Sequence, residues 1–418
     1  MNKHFNNILV CFFVVIVICI SNINVTNASV NRRMLNLIHQ QPSTFEQFKL
    51  WHYALNKPYD INSQQGIKRY KIFESNVNMI KQHNTKDSSY KLGLGPFTDM
   101  TTQEINSMFS NQNYSQNLID NEHHIKSIYN ELNNQNKIND SEIDNDYEEI
   151  KSIYPSNIIN EEDLIIAQEA IYNTNESNNK YFQTRILQSN KGLTTTDWSV
   201  LLSEAKDQTK GNPECGSCWA FSSIAVVEAM ANKGDSKYIL SEQQLLDCNI
   251  SNFGCEGGGI LKALIYLESD GSTTESLYPY KGNKNPFCFL NTGKIKPVVK
   301  PANIKFCYKN IIECSPLEIV NMLANGPYVS LIDFGDVGYH YASGTYNFIE
   351  ENCNKVDHGV LVVQLIDGNT FKIRNSWGKH WGEDGYAKLN FKSLNSKLKA
   401  CGLLEYAVQP QTIYKYLK

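Results

Sequence analysis

The stretch Glu214-Cys215-Gly216-Ser217-Cys218-Trp219-Ala220-Phe221-Ser222-Ser223 sets two cysteines three positions apart, with glycine and serine between them. Behind it, Phe221, Ile224, Val227 and Met230 recur at helical spacing, which predicts a helix from Ala220 to about Asn232. Cys218 would then stand at a helix start, where the positive end of the macrodipole and unsatisfied backbone N–H groups lower a thiol pKa. A thiolate so placed is a nucleophile in need of a base. Two stretches far downstream offer one: Val356-Asp357-His358-Gly359-Val360 and Arg374-Asn375-Ser376-Trp377-Gly378.

These three motifs together resemble the active-site signature of papain-like cysteine proteases. The resemblance implies an α+β, two-lobed fold: a helical left lobe carrying Cys218 and an antiparallel β-barrel right lobe carrying His358 and Asn375. The cleft between the lobes is then the site. Cys218 is the implied nucleophile, His358 its imidazolium partner and later the proton donor to the leaving amine, and Asn375 the residue that orients the ring. Trp377 would shield that last contact from water. The Cys218 backbone N–H is one implied oxyanion donor. The family's second is a Gln six residues before the nucleophile; Gln208 lies ten before it, so a four-residue insertion within Thr209–Glu214 is needed to reconcile the two. Between His358 and Asn375, Gly359–Leu365 and Thr370–Arg374 read as two strands of a hairpin that returns the chain beside His358.

Eleven cysteines and the N-terminus speak to compartment. Ile8–Ile20 is an unbroken apolar run that contains Cys11 and Cys19, and Thr26-Asn27-Ala28 follows as a small-residue cleavage pattern. Thirteen residues are short for a bilayer span of ~20 and right for a signal-peptide core. Residues 1–28 are therefore expected to be a signal peptide, with an uncleaved signal anchor as the alternative. Entry to the secretory pathway, with a lysosomal, vacuolar or extracellular destination, is the expectation. The other nine cysteines all fall at or beyond Cys215, an odd number that suits four disulfides and one free thiol. The resemblance implies Cys215–Cys255, Cys248–Cys288 and Cys353–Cys401. Cys307 and Cys314 remain, with six residues between them, and would close a small extra loop. A formal charge of −4 gives no basic surface for nucleic acid.

Two helical stretches precede the nucleophile. Phe45, Phe48, Trp51 and Leu55 recur at three- and four-residue steps, and a second stretch holds Gln65, Arg69, Phe73, Asn76, Ile80 and Asn84. The second set is similar to the interspersed Glu-Arg-Phe-Asn-Ile-Asn pattern of cathepsin L-type inhibitory propeptides, with Gln65 in place of Glu. Gly93-Leu94-Gly95-Pro96-Phe97-Thr98-Asp99 is similar to that family's Gly-x-Asn-x-Phe-x-Asp motif, with Gly95 in place of Asn. Residues 29–105 are thus expected to be a helical prosegment lying in the cleft in reverse direction. Protonation of carboxylates such as Asp99 would release it in acid. Residues 106–190 are rich in Asn and acids and read as a linker, or alternatively a partner-binding insert. Residues 191–418 are the expected peptidase domain, its mature start between Gln188 and Thr195 because Thr196-Asp197-Trp198 resembles mature N-termini.

Leu240–Cys248 reads as a further helix capped by Ser241. Gly257, Gly258 and Gly259 look like the family's cleft-wall loop, where glycine lets substrate backbone approach. Ile332, Val356 and Tyr406 take pocket positions that imply an apolar preference, and Trp377 completes the substrate-facing set. Asn249-Ile250-Ser251 is a glycosylation sequon. The expected function is a cysteine endopeptidase made as a zymogen and working through an acyl-enzyme. Peptides or proteins are its substrates, its own prosegment is its inhibitor, and protein inhibitors are further partners. A monomer, no stable membrane anchor, no metal and no cofactor are expected. A catalytically weak papain-fold binding protein is the alternative, while a Cys-x-x-Cys redox pair and a zinc site from Cys215, Cys218, Cys248 and Cys255 are the other chemistries open to these cysteines.

Overall fold

A computed structural model describes residues 43–109, 195–234, 237–308, 314, 316–347, 356–390 and 402–416. The leader, the linker beyond residue 109 and the Cys353–Cys401 pair lie outside the described residues. The chain divides into two compact units between Asn78 and Met79.

In the first unit, helix α1 (Thr44–Ala54) starts where the Ser43 hydroxyl accepts the Glu46 N–H, and α2 (Gln64–Asn84) begins ten residues later and runs across the division. An aromatic cluster holds the hairpin: Phe48 and Trp51 are fully buried, with ring centroids 5.3 and 5.1 Å from Phe73. Phe45, expected on the same face, is 39% exposed, and Gln47 is buried instead. The buried stripe is therefore set by the 48–51 step, and Phe45 leans on Tyr70 at the rim.

The second unit opens with β1 (Tyr90–Leu92) and α3 (Thr102–Phe109), the latter running four residues past the expected prosegment boundary at 105. After residue 195 come α4 (Cys218–Ala231), α5 (Glu242–Cys248), α6 (Ile260–Asp270), β2 (Val299–Tyr308), α7 (Pro316–Asn325), β3 (Tyr328–Ile332), α8 (Gly335–Gly338), β4 (Tyr341–Asn347), β5 (His358–Leu365), β6 (Thr370–Arg374), β7 (Tyr386–Asn390) and β8 (Tyr406–Lys415). The strands form one sheet in the order β1-β4-β7-β6-β5-β3-β8-β2. Neighbours run antiparallel except β4 and β7, which run parallel.

Alternation along β3 and β5 explains why both read as nearly continuous apolar runs. Tyr328, Ile332, Val360 and Val362 face one core with α7 residues Ile319, Met322 and Leu323. Val329, Leu331, Leu361 and Val363 face another, built on α4, α5 and α6. A strand buried on both faces has no polar side to show. Helix α4 is likewise buried at every residue. A helix with no exposed face is a central one.

One polar member of α4 is Glu228, fully buried. Its carboxylate meets Lys206 Nζ at 3.2 Å, Ser203 Oγ at 2.7 Å and the Leu240 N–H at 3.1 Å. Lys206 also meets Glu242 at 2.8 Å. Burial opposes the Lys206 charge, yet Glu242 and Glu228 hold its pKa above the usual ammonium value. Burial also opposes the Glu228 charge, and Lys206 with Arg374 holds that carboxyl below its usual range. Glu242, with less compensation, is pushed up by burial to about 7.

The prosegment is stitched into this unit through backbone. Tyr90 pairs with Gly344, Lys91 with Ser343 and Leu92 with Tyr341, which makes β1 the sheet's outer strand. Asn84 clamps Leu92 from both sides, donating Nδ2 to its carbonyl at 2.8 Å and accepting its N–H at 2.9 Å. The Gly93 N–H then reaches the His340 carbonyl at 2.8 Å. A Cβ on Gly93 would sit 2.8 Å from Ala342 Cβ, so only glycine fits there. The start of the peptidase segment is anchored similarly. Thr195 exchanges two bonds with Leu365, Asp197 pairs with Lys372 at 2.8 Å, and Trp198 donates to the Leu323 carbonyl at 2.7 Å.

Lys206 is the ammonium that both Glu242 and Glu228 meet, and removing it leaves two buried carboxylates without that partner. Lys206→Met is expected to cost roughly 3–5 kcal/mol, read as a lowered midpoint in urea unfolding of the precursor.

Candidate active site

Helix α4 begins at Cys218, with Ser217 as its N-cap and the Ser217 carbonyl accepting from Ala220 and Phe221. Cys215 is bridged to Cys255, and the Gly216 N–H donates to the Cys255 carbonyl at 2.8 Å. Cys248–Cys288 and Cys307–Cys314 are also joined, and Cys218 is the free thiol among the described residues. A Cys215–Cys218 redox pair and a four-thiol zinc site are therefore both excluded. No group of three metal-ligating side chains occurs among the described residues.

Strand β5 lies against the start of α4 because residue 359 is glycine. A Cβ there would sit 2.8 Å from Ser222 Oγ and 3.3 Å from the Cys218 carbonyl oxygen. The Gly359 N–H reaches the Cys218 sulfur. His358, the first residue of β5, directly precedes the glycine whose N–H meets the sulfur. The β5–β6 hairpin then returns Asn375 to the imidazole, with Leu361 opposite Arg374. Asn375 Oδ1 accepts the Ser376 N–H at 2.8 Å, which identifies that atom as the oxygen. The 2.7 Å contact to His358 Nε2 is therefore one in which the imidazole donates. Trp377, 1% exposed, stacks on His358 at 4.6 Å and closes this bond off from water.

Gln208 reaches the same place despite its distance in sequence. It is fully buried; its N–H donates to the Ser376 carbonyl at 2.8 Å, its Oε1 accepts the Ser376 hydroxyl at 2.6 Å, and its Nε2 donates to the Cys215 carbonyl at 3.3 Å. The insertion is taken up by the 209–214 loop, which packs on another loop at Gly211 (φ +88°) and Gly282 (φ +75°).

Gly257 has φ +106°, a conformation that favours glycine, at the end of a short 3-10 turn spanning Gly254–Glu256. For Gly258 the constraint lies inside the protein: a Cβ would meet the Trp219 indole at 2.6 Å, whatever approaches from the cleft. Gly259 is clamped by Asn252, which accepts its N–H at 2.8 Å and donates to its carbonyl at 3.2 Å. Ile332 is opposite His358 in the β3–β5 register but fully buried. Val356 and Tyr406 are partly buried against the helical core, and the Tyr406 ring meets Tyr308 edge-on at 4.8 Å.

The prosegment reaches these residues. Phe97 meets Trp377 edge-on at 5.1 Å, the Tyr339 hydroxyl bonds Asn106 at 3.1 Å, and Met108 and Ile105 are buried in the right-lobe core. The Met108 carbonyl oxygen lies 3.3 Å from where a Gly216 Cβ would be. In the covered cleft, burial pushes the Cys218 thiol up to about 11, although the Gly359, Trp219 and Cys218 N–H groups pull the other way. This reverses the expectation drawn from the helix start alone. Burial likewise brings His358 down to about 4. The sequon also fails: Asn249 is 2% exposed, donates to the Lys262 carbonyl at 3.3 Å and accepts the Ser251 N–H at 3.2 Å, which leaves no room for a glycan. Sequence reasoning did not single out Tyr280, which contacts both Gln208 and Ser217. The aromatic-flanked Pro279 was its only local sign.

A free thiol at a buried helix start, with an amide-held imidazole beginning the strand packed against it and an N-terminal segment beside both, defines the precursor of a thiol peptidase. The chain belongs to the papain family of cysteine proteases: residues 194–411 match that family, and residues 48–105 match the cathepsin propeptide inhibitor domain. It is a zymogen of a cysteine endopeptidase. It is 30% identical to a cathepsin L-like proteinase of Fasciola hepatica over 379 residues, 86% of this chain and 92% of the relative. Chymopapain of Carica papaya is 27% identical over 369 residues, 87% and 85% of the two chains. In fold it is similar to digestive procathepsin L 3 of Tenebrio molitor larval midgut, with TM-score 0.61 and 23% identity over 89% of this chain and 100% of that one. Among the described residues no helix is long and apolar enough to cross a membrane.

An uncharged, buried thiol should be slow toward alkylating reagents. In the intact precursor, carboxamidomethylation of Cys218 by iodoacetamide, followed by peptide mass, is expected to accelerate only as pH approaches about 11. Removal of the prosegment should move that rise several pH units lower.

Proposed function

We propose that Cys218 attacks the scissile carbonyl as a thiolate paired with protonated His358. The sulfur–carbon bond forms as the carbonyl π electrons move to oxygen. His358 then gives its proton to the departing amine, and an acyl-enzyme remains. Water, deprotonated by the same imidazole, cleaves the thioester and restores the thiol. Asn375 holds the ring through Nε2, so Nδ1 is the nitrogen that exchanges protons with sulfur. The Cys218 N–H and the Gln208 amide receive the oxyanion. The observation that carries this reading is the bond from His358 Nε2 to an Asn375 oxygen, its direction fixed by the Ser376 N–H. On the substrate side, Gly257, Gly258 and Gly259 form the wall along which peptide backbone runs, with Val356 and Tyr406 near an apolar pocket and Ile332 beneath it as support. Entry to the secretory pathway through the apolar N-terminal run accords with the disulfides.

Hydrolysis of a fluorogenic dipeptide amide by acid-treated precursor tests the reading. The wild type should cleave and Cys218→Ala should not. Gln208→Ala should lose about 10²–10³ in kcat, and a loss below tenfold would remove Gln208 from the oxyanion site. No cleavage by the wild type after demonstrable loss of the prosegment would favour a binding protein of this fold.

Acid release of the prosegment is read from the same burial. His340, whose carbonyl holds Gly93, is 4% exposed, and burial alone brings its imidazole down to about 4. A base whose folded pKa is depressed favours the closed form above the free value of about 6.5 and loses that contribution as pH falls toward 4. His358 behaves in the same sense. His340→Phe should therefore flatten the dependence of precursor processing on pH between about 6.5 and 4, measured as half-time on a gel; an unchanged profile would exclude His340 as a proton acceptor in release.

A further inference from the structure

One side chain outside the residues already placed joins both halves of the proposed oxyanion site. The Tyr280 hydroxyl lies 2.8 Å from the Gln208 carbonyl oxygen and 2.9 Å from Ser217 Oγ. A carbonyl only accepts, so the phenol's single proton goes to Gln208. Ser217 must then donate its own proton to the phenol oxygen. Ser217 is the N-cap of α4 and directly precedes Cys218, and its hydroxyl makes no capping bond within the helix. Thus one oxygen atom ties the segment bearing the amide donor to the turn bearing the backbone donor.

The tie has work to do in this chain because of the insertion. With the six residues of Thr209–Glu214 between Gln208 and Cys215, the backbone path from Gln208 to Cys218 is long and bulges away. Gln208 is held instead by its neighbours in space: Ser376 through two bonds, one backbone and one side chain, Cys215 through one, and Tyr280 through one. Tyr280 itself does not depend on its hydroxyl for placement. Its N–H donates to Glu275 Oε1 at 2.9 Å, the next N–H donates to Gln243 Oε1 at 2.9 Å, and its ring meets Phe221 of α4 edge-on at 4.8 Å.

We infer that Tyr280 is a positioning residue for acyl transfer: its hydroxyl fixes the spacing between the Gln208 amide and the Cys218 N–H, without serving the thiolate–imidazolium pair. This rests on the reading of Cys218 and Gln208 given above. A phenol that merely filled space would be replaced by phenylalanine at no cost to turnover.

The two roles separate by reaction type. Amide hydrolysis passes through an oxyanion, whereas alkylation of the thiolate by iodoacetamide does not. In the activated enzyme, Tyr280→Phe should lower kcat on a fluorogenic dipeptide amide about 10- to 100-fold with KM within about twofold. The rate of alkylation and its pH profile should stay within about twofold of wild type over the same range. Ser217→Ala, which cuts the tie at its other end, should show the same selective loss. In a Gln208→Ala background the further effect of Tyr280→Phe should shrink to less than about threefold, because the donor it places is gone. Wild-type kcat in Tyr280→Phe, or equal losses in hydrolysis and alkylation, would overturn the inference. If Gln208→Ala itself keeps full turnover, the oxyanion assignment fails first; if Gln208→Ala is impaired while Tyr280→Phe is not, only the role of Tyr280 fails.

Discussion

The closeness of β5 to the start of α4 is the contact on which the site depends. A Cβ at residue 359 would meet the Ser222 hydroxyl and the Cys218 carbonyl, so a side chain of any size there would push the strand off the helix. With glycine, the strand that begins at His358 and the helix that begins at Cys218 are held close by backbone packing. The same strand has to be apolar on both faces, since Leu361 and Val363 cover α4 while Val360 and Val362 face the opposite core. The placement of His358 and the packing of both cores thus rest on one strand. A displacement of β5 would cost both.

Closeness also explains the dormant state. In the covered cleft neither partner has water around it, and a dry environment penalises each charge separately. The thiol goes up and the imidazole down, so the uncharged pair is the stable one while the prosegment stays in place. The helix start still draws the thiol downward through three N–H groups, but only as the weaker influence. The segment from Phe97 to Met108 packs on Trp377, Tyr339 and Gly216, and the exclusion of solvent around Cys218 and His358 goes with it.

Much of the fold and of the candidate site is legible in the sequence because its residues sit in short local motifs. Cys218, His358 and Asn375 each come with neighbours, Ser217 and Trp219, Gly359, and Ser376 with Trp377, whose types are demanded by packing within a few ångström. Gln208 is legible only by allowing for an insertion, and its support from Ser376, Cys215 and Tyr280 explains how its place tolerates one. What escaped was whatever depends on burial or on partners far apart in sequence. A helix-start argument sees the dipole at Cys218 and not the solvent that is missing from it. A sequon does not show that Asn249 is turned inward, and glycine at 258 reads as an open wall when its neighbour is the Trp219 indole. Tyr280 has no motif because its partners lie 72 and 63 positions away.

The buried charges of the left lobe belong to the same account. Lys206, Glu228 and Glu242 join α4 and α5 to the segment that leads into Gln208, only two residues beyond Lys206. An apolar trio of equal volume would pack as well and avoid the desolvation of three ions. Ion pairs, however, have direction that apolar contacts lack, and Lys206 is satisfied only when both carboxylates and the Leu240 carbonyl surround it. Registering the 206–208 segment against α4 in this way leaves Gln208 pointing at Ser376 and Cys215 with little freedom to slide. The long loop after it can then vary without moving the amide, which is how a chain with an insertion beside Cys218 keeps Gln208 in a defined place.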